Sequence, residues 1–242
     1  MWQAGAPSLP SWGILPVVGE ASAEQVTIAV GKAVQVSGLI QRPPRARWCL
    51  VLAHGAGAGM RHPFMGEVAD GLAERGVATL RYQFPFIERR ARRPDPPGLA
   101  HEAVRAAIAK AAELLPALPL IAGGKSFGGR MTSQAQAAKA LSGVRGLVFF
   151  GFPLHPPDEP SVARAEHLSE VQIPMLFLQG TRDQFAHLDL LRPVCSELGS
   201  RASLNVVEGA DHSFHVLKRS GTNDAEVMTE LAQTMASWAK MI

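Results

Sequence analysis

Three residues in the second half of the chain have the side chains that nucleophilic acyl chemistry requires: Ser126, Asp183 and His212. A serine hydroxyl becomes a working nucleophile when an imidazole takes its proton. The imidazole in turn needs a carboxylate to orient it and to stabilise its charged form. Ser126 lies in Gly124-Lys125-Ser126-Phe127-Gly128, a G-x-S-x-G pattern. Small residues two positions either side of the serine suit a sharp strand-to-helix turn with a crowded backbone. The same stretch, LPLIAGGKSFGGR, also contains GKS, the ending of a phosphate-binding loop. That reading needs G-x-x-x-x-G-K-[ST]. Counting back five from Gly124 gives Pro119, and Leu120, Ile121 and Ala122 read as the end of a buried strand. A glycine loop able to wrap a pyrophosphate does not fit there, so the nucleotide reading is set aside.

The other two residues fall at matching places. Asp183, in GTRDQF, follows an apolar strand Met175–Gln179, and His212, in EGADHSF, follows a strand Leu204–Val207. Asp211 is a second candidate acid, but a direct neighbour seldom points at the adjacent ring nitrogen, so it is expected to order the loop instead. After the strand Trp48–Ala53 comes His54-Gly55-Ala56-Gly57-Ala58-Gly59, whose glycines let backbone N–H groups approach a substrate oxygen. The expected oxyanion donors are the N–H of Phe127 and one from this loop, Ala56 first and Gly57 second.

These loops are positioned by a regular alternation of elements. Residues 26–40 read as a hairpin turning at Gly31-Lys32. Strands are then expected at Trp48–Ala53, Val77–Tyr82, Leu118–Ala122, Gly146–Phe150, Met175–Gln179 and Leu204–Val207. Helices are expected from Pro63 to Gly76, over Leu99–Leu115, Phe127–Leu141 and Leu190–Leu198, and in a last segment with Val227, Leu231, Met235 and Trp238 on one face. Asn223 and Glu226 form a capping box at its start. Strands that are apolar throughout and alternate with helices imply an α/β fold, a mostly parallel sheet covered on both faces. Ligands of such sheets bind outside the carboxyl ends of the strands, and all four candidate loops lie there.

The chain has 242 residues, 47% hydrophobic and 19% charged, with a net charge of +3. That allows one sizeable domain over 25–242, preceded by an irregular Pro-, Gly- and Ser-containing arm over 1–24. The excess charge is too small and too dispersed for a nucleic-acid footprint. No apolar run is long enough for a membrane span, and the first twenty residues lack the basic and apolar regions of a signal peptide. A cytoplasmic location without a membrane partner is therefore expected. Cys49 and Cys195 read as reduced packing thiols. His212 and His215 are three apart but have no third ligand nearby, so no metal is assigned and no cofactor is required. Met131 is expected in the core.

The motifs LAHGAGAGMRHPFM, RYQFPF, GGKSFGGRM, GFPLHPP, LQGTRD and GADHSFHVLKRSG span nearly everything after the arm. In these the sequence resembles the α/β-hydrolase superfamily, and within it the small dienelactone-hydrolase-like members. It is most similar to bacterial hydrolases related to the third subunit of the NSL chromatin complex. The resemblance implies the α/β-hydrolase fold, a hydrolase activity and the triad Ser126, Asp183 and His212. The serine-to-aspartate-to-histidine order is the one this fold uses. Gln83 and Phe86 depart from the group's pattern, where Asn and Tyr are expected, which puts the polar contacts of that loop in question. The expected partner is a small ester or thioester; a non-catalytic interaction scaffold is the alternative, with the run Glu88-Arg89-Arg90-Ala91-Arg92-Arg93 as its contact surface. Lys125 and His155 are candidate substrate-binding residues. Lys125 either brings a cation to the site or packs its stem and leaves its ammonium in water. His155 either lines the pocket or is a hydrogen-bonded loop residue. The short, Pro-rich stretch between Phe150 and Met175 leaves no room for a large helical cap.

Overall fold

The computed structural model describes residues 23–242. The expected arm falls outside the described residues up to 22, and Glu24 already opens the first strand. Among the described residues eight strands form one sheet in the order β1-β2-β4-β3-β5-β6-β7-β8. They are β1 (Glu24–Val30), β2 (Val34–Gln41), β3 (Trp48–Ala53), β4 (Val77–Tyr82), β5 (Leu120–Lys125), β6 (Val144–Phe150), β7 (Met175–Gly180) and β8 (Ala202–Val207). β1 and β2 are the expected hairpin, and β2 pairs antiparallel with β4. Every later pairing is parallel.

Among the described residues six α-helices accompany the strands: α1 (Pro63–Ala73), α2 (Pro85–Glu88), α3 (Pro97–Leu114), α4 (Phe127–Ala138), α5 (Leu188–Leu198) and α6 (Asp224–Trp238). The period-2 alternation of β3 sorts the core into two layers. Cys49, Val51 and Ala53 face a cluster with side chains of α3, α4 and α5, whereas Leu50 and Leu52 face one built on α1 and α6. The last helix carries the expected box: Asn223 accepts from the Glu226 N–H, and the Glu226 carboxylate accepts from the Asn223 N–H. Met131 is buried in the first cluster, and both thiols, Cys49 and Cys195, are free and buried.

Strand order reverses at β3, which has β4 on one side and β5 on the other. The crevice at such a switch point is where open α/β sheets bind ligands. The HGAGAG loop leaves β3 and Ser126 leaves β5, so both sit there. β5 runs three residues past the expected end at Ala122, through Gly123 and Gly124 to Lys125. The two glycines read as a turn, but they are strand residues that neighbouring strands approach closely, β6 at Gly123 and β3 at Gly124. Two short elements also differ from expectation: α2 directly after β4, and a 3₁₀ helix Ala163–Glu170 between β6 and β7. That 3₁₀ helix is the only regular structure in the interval, so there is no helical cap there.

Candidate active site

The turn after β5 holds Ser126 at φ 50° and ψ −116°, a backbone conformation that a residue with a side chain rarely adopts. It is over-determined by its surroundings. The Ser126 N–H donates to the Phe150 carbonyl at 3.2 Å on β6. A Cβ on Gly124 would stand 2.2 Å from the Ala53 carbonyl oxygen, and one on Gly128 would stand 2.6 Å from the Ala53 and His54 carbonyl oxygens. The end of β3 therefore presses on both sides of the elbow, and only glycine fits at either position.

His212 Nε2 lies 2.9 Å from Ser126 Oγ, and His212 Nδ1 lies 2.7 Å from Asp183 Oδ2. An ionised carboxylate only accepts, so Nδ1 carries the proton and Nε2 is free to accept from the serine hydroxyl. Asp183 is fully enclosed, its side chain 0% exposed against 18% for His212. Its other lone pairs are used: Gln179 Nε2 donates to Oδ2, and the Phe185 N–H donates to Oδ1 at 2.8 Å. Gln179 is itself held, because its Oε1 accepts from the Phe152 N–H. Asp211 turns away from the ring and accepts from the Ser213 and His215 N–H groups, as a loop-ordering residue. The Phe185 ring packs on His212 with centroids 4.4 Å apart. Sequence reasoning missed Gln179 and Phe185. Their proximity to Asp183 in sequence was the only available signal.

In the loop after β3, Ala56 and Gly57 are exposed, and neither N–H has a hydrogen-bond partner among the described residues; the same is true of the Phe127 N–H. The Phe127 N–H is the first donor of α4, where free N–H groups and the helix dipole favour negative charge. His54 braces the two halves of this pocket. It is fully buried, and its Nδ1–H donates to the Gly55 carbonyl at 2.7 Å while Nε2 accepts from the Phe84 N–H at 3.0 Å. Burial pushes its pKa down to about 4, so the ring is neutral. Phe84 and Phe86 pack edge-on against Phe127, at 5.3 and 5.9 Å between centroids, and also against His54.

The two departures from the group's pattern fit this arrangement. Phe86 completes the aromatic brace, and Gln83 Oε1 accepts from the Met60 N–H at 2.8 Å, which closes the glycine loop. In the arginine run, Arg89 pairs with the buried Asp95, whose other oxygen accepts from the Phe86 N–H; Arg90, Arg92 and Arg93 are exposed.

The two candidate substrate-binding residues, His155 and Lys125, each have protein partners. His155 is 0% exposed; its Nδ1–H donates to the Pro156 carbonyl and its Nε2 accepts from the His187 N–H. Both ring nitrogens are occupied, the arrangement of the hydrogen-bonded loop histidine that the sequence also allowed. The Lys125 ammonium is held by protein groups. Nζ donates to the His212 carbonyl at 2.5 Å. Among the described residues no three His, Cys, Asp or Glu side chains form a metal-holding group. No described helix is long and apolar enough to cross a membrane.

A strained serine at a strand-to-helix turn, hydrogen-bonded through a histidine to a buried carboxylate, defines an α/β hydrolase. The sequence matches the alpha/beta hydrolase domain family over residues 46–240, and the chain belongs to that family. Its fold is shared by the dienelactone hydrolase of Anabaena variabilis (23% identity, TM-score 0.70, 91% of this chain and 97% of that one). An α/β serine hydrolase homologue from Coxiella burnetii is similarly close (19% identity, TM-score 0.71, 89% and 97%). So is a Xanthomonas campestris α/β serine hydrolase described as lacking a lid (18% identity, TM-score 0.69, 96% and 98%). The narrower kinship with relatives of the NSL subunit rests on the sequence motifs alone.

Proposed function

We propose that this chain is a serine hydrolase that cleaves a carboxylic ester or thioester of a small substrate through an acyl-enzyme. The observation that carries this is the unbroken chain from Ser126 Oγ to His212 to the buried Asp183, at 2.9 and 2.7 Å. His212 Nε2 takes the hydroxyl proton as Oγ attacks the substrate carbonyl. The N–H groups of Phe127 and Ala56, with Gly57 adjacent, stabilise the oxyanion, a contribution of about 3 kcal/mol per donor. His212 then gives its proton to the departing alkoxide or thiolate. In the second half the same imidazole activates water to hydrolyse the acyl-serine. Asp183 keeps the proton on Nδ1 throughout and stabilises the imidazolium.

The substrate side of the crevice has no helical cap, which favours short acyl groups and argues against activation at lipid surfaces. The Xanthomonas relative, described as lidless, and the dienelactone hydrolase of Anabaena support a small, open-site hydrolase. The two buried reduced thiols are in keeping with a cytoplasmic location. The test is turnover of a short-chain ester and thioester series by wild type and Ser126→Ala. The variant should lose at least about a thousandfold; an unchanged rate would refute the scheme.

A further inference from the structure

We propose that Lys125 is a positioning residue: its ammonium clamps the loop carrying His212 to the end of the nucleophile strand. This rests on the serine-hydrolase reading above. Lys125 is the last residue of β5 and directly precedes Ser126. Its Nζ donates to the His212 carbonyl at 2.5 Å across 87 residues of sequence. Nζ also stands 5.8 Å from the Phe64 ring centroid and 5.6 Å from that of Phe214, so two aromatic faces flank the cation. On a further side is Gly151, at φ +70°, where a Cβ would lie 3.0 Å from Nζ and 3.4 Å from both Asp183 Oδ2 and His212 Cε1. The missing side chain at Gly151 is what lets lysine, aspartate and histidine come together.

The clamp answers a need that the triad itself leaves open. Among the described residues, two hydrogen bonds tie His212 to the β5 turn, one to Ser126 Oγ and one to Lys125 Nζ. The first is given up when Oγ attacks. The second survives acylation and keeps the imidazole in place to protonate the leaving group. A donor to the backbone carbonyl can do this without competing for either ring nitrogen.

The charged and titratable groups facing Nζ are Asp183 after β7 and Asp211 and His212 after β8; α1 and β6 present Phe64 and Gly151. Burial pushes the Lys125 pKa down to about 8, against the opposing pull of Asp183 and Asp211. A neutral amine makes a weaker hydrogen bond than an ammonium, so the clamp loosens as pH rises through that value.

The experiment compares wild type, Lys125→Met and Lys125→Arg, each checked for folding by thermal melting. The readouts are the pH profile of fluorophosphonate labelling at Ser126 and the low-field proton resonance of His212 Nδ1–H, assigned by its loss in Asp183→Asn. Wild type should label more slowly above about pH 8. Lys125→Met should label about tenfold more slowly at pH 7, show no alkaline fall and broaden the resonance. Lys125→Arg, whose guanidinium keeps its charge, should recover part of the rate and extend the plateau above pH 8. A folded Lys125→Met with the wild-type profile and a sharp resonance overturns the proposal. If Lys125→Met does not fold, an alkaline fall retained in Lys125→Arg overturns it and an extended plateau supports it. A wild type that shows the resonance but never labels refutes the hydrolase reading instead. The clamp then stands or falls on whether Lys125→Met broadens that resonance.

Discussion

One substitution, glycine to alanine, should have opposite effects at two helix starts. At Gly98, in the first turn of α3, an added Cβ meets nothing within 4 Å. Alanine there limits the unfolded chain and suits the helix, so Gly98→Ala should stabilise by about 0.4–1 kcal/mol. At Gly128, in the first turn of α4, the Cβ would stand 2.6 Å from two backbone oxygens, against an ordinary contact of 3.4 Å or more. The shortfall is about 0.8 Å at two rigid atoms, and overpacking of this kind costs about 1–3 kcal/mol. After a helix gain of about 1 kcal/mol, the net loss should be up to about 2 kcal/mol. Relief comes by moving the start of α4 away from β3, which shifts the Phe127 N–H from Ala56. A displacement near 1 Å costs about a hundredfold in rate. Urea unfolding at constant m, with the rate of fluorophosphonate labelling, measures both effects. A Gly128→Ala protein as stable and as reactive as wild type would refute the close-approach account of the elbow.

Other outcomes follow from the same contacts. Asp183→Asn should lower turnover about ten-thousandfold with folding nearly intact, because the amide favours the wrong imidazole tautomer; steady-state kinetics with a melting curve would show it. Buried neutral His54, with its pKa at about 4 against an ordinary 6.5, binds fewer protons than the unfolded chain between those values. Stability should therefore fall as pH drops from about 6.5 to about 4 and level off below, by about 3 kcal/mol from this residue. His54→Gln should reduce that slope by one proton in urea titrations at several pH values. On the surface, His215 has its pKa raised by a hydrogen bond to Asp224, whose own carboxyl is held down by the same bond. Their stabilisation is present between the two groups' ordinary values, and it is lost above the raised histidine value and below the lowered carboxylate value. His215→Gln should remove that small bell from the stability profile.

The three central residues were legible because each lies in the loop that follows a strand, and the end of a parallel strand is a place that local pattern identifies. The acid could be told from Asp211 by backbone geometry alone. The end of β5 was misread because Gly123 and Gly124 signal a turn locally, whereas their need is the close approach of β6 at Gly123 and of β3 at Gly124, which local pattern does not show. Lys125 and His155 show a related limit. Proximity to the site was readable, but the direction of a long or ring side chain depends on partners such as the His212 carbonyl and the His187 N–H. α2 and the 3₁₀ helix Ala163–Glu170 are too short for periodicity to mark.

The central claim is that Ser126 is a nucleophile activated by His212 beside a formed oxyanion pocket. Fluorophosphonate labelling with intact-mass and peptide readout, on wild type and Ser126→Ala, tests it most directly. One adduct per wild-type chain, mapped to Ser126 and absent from the variant, is the expected result. A folded wild type that takes no adduct, or takes it elsewhere, would contradict the account and favour a non-catalytic scaffold on the same fold.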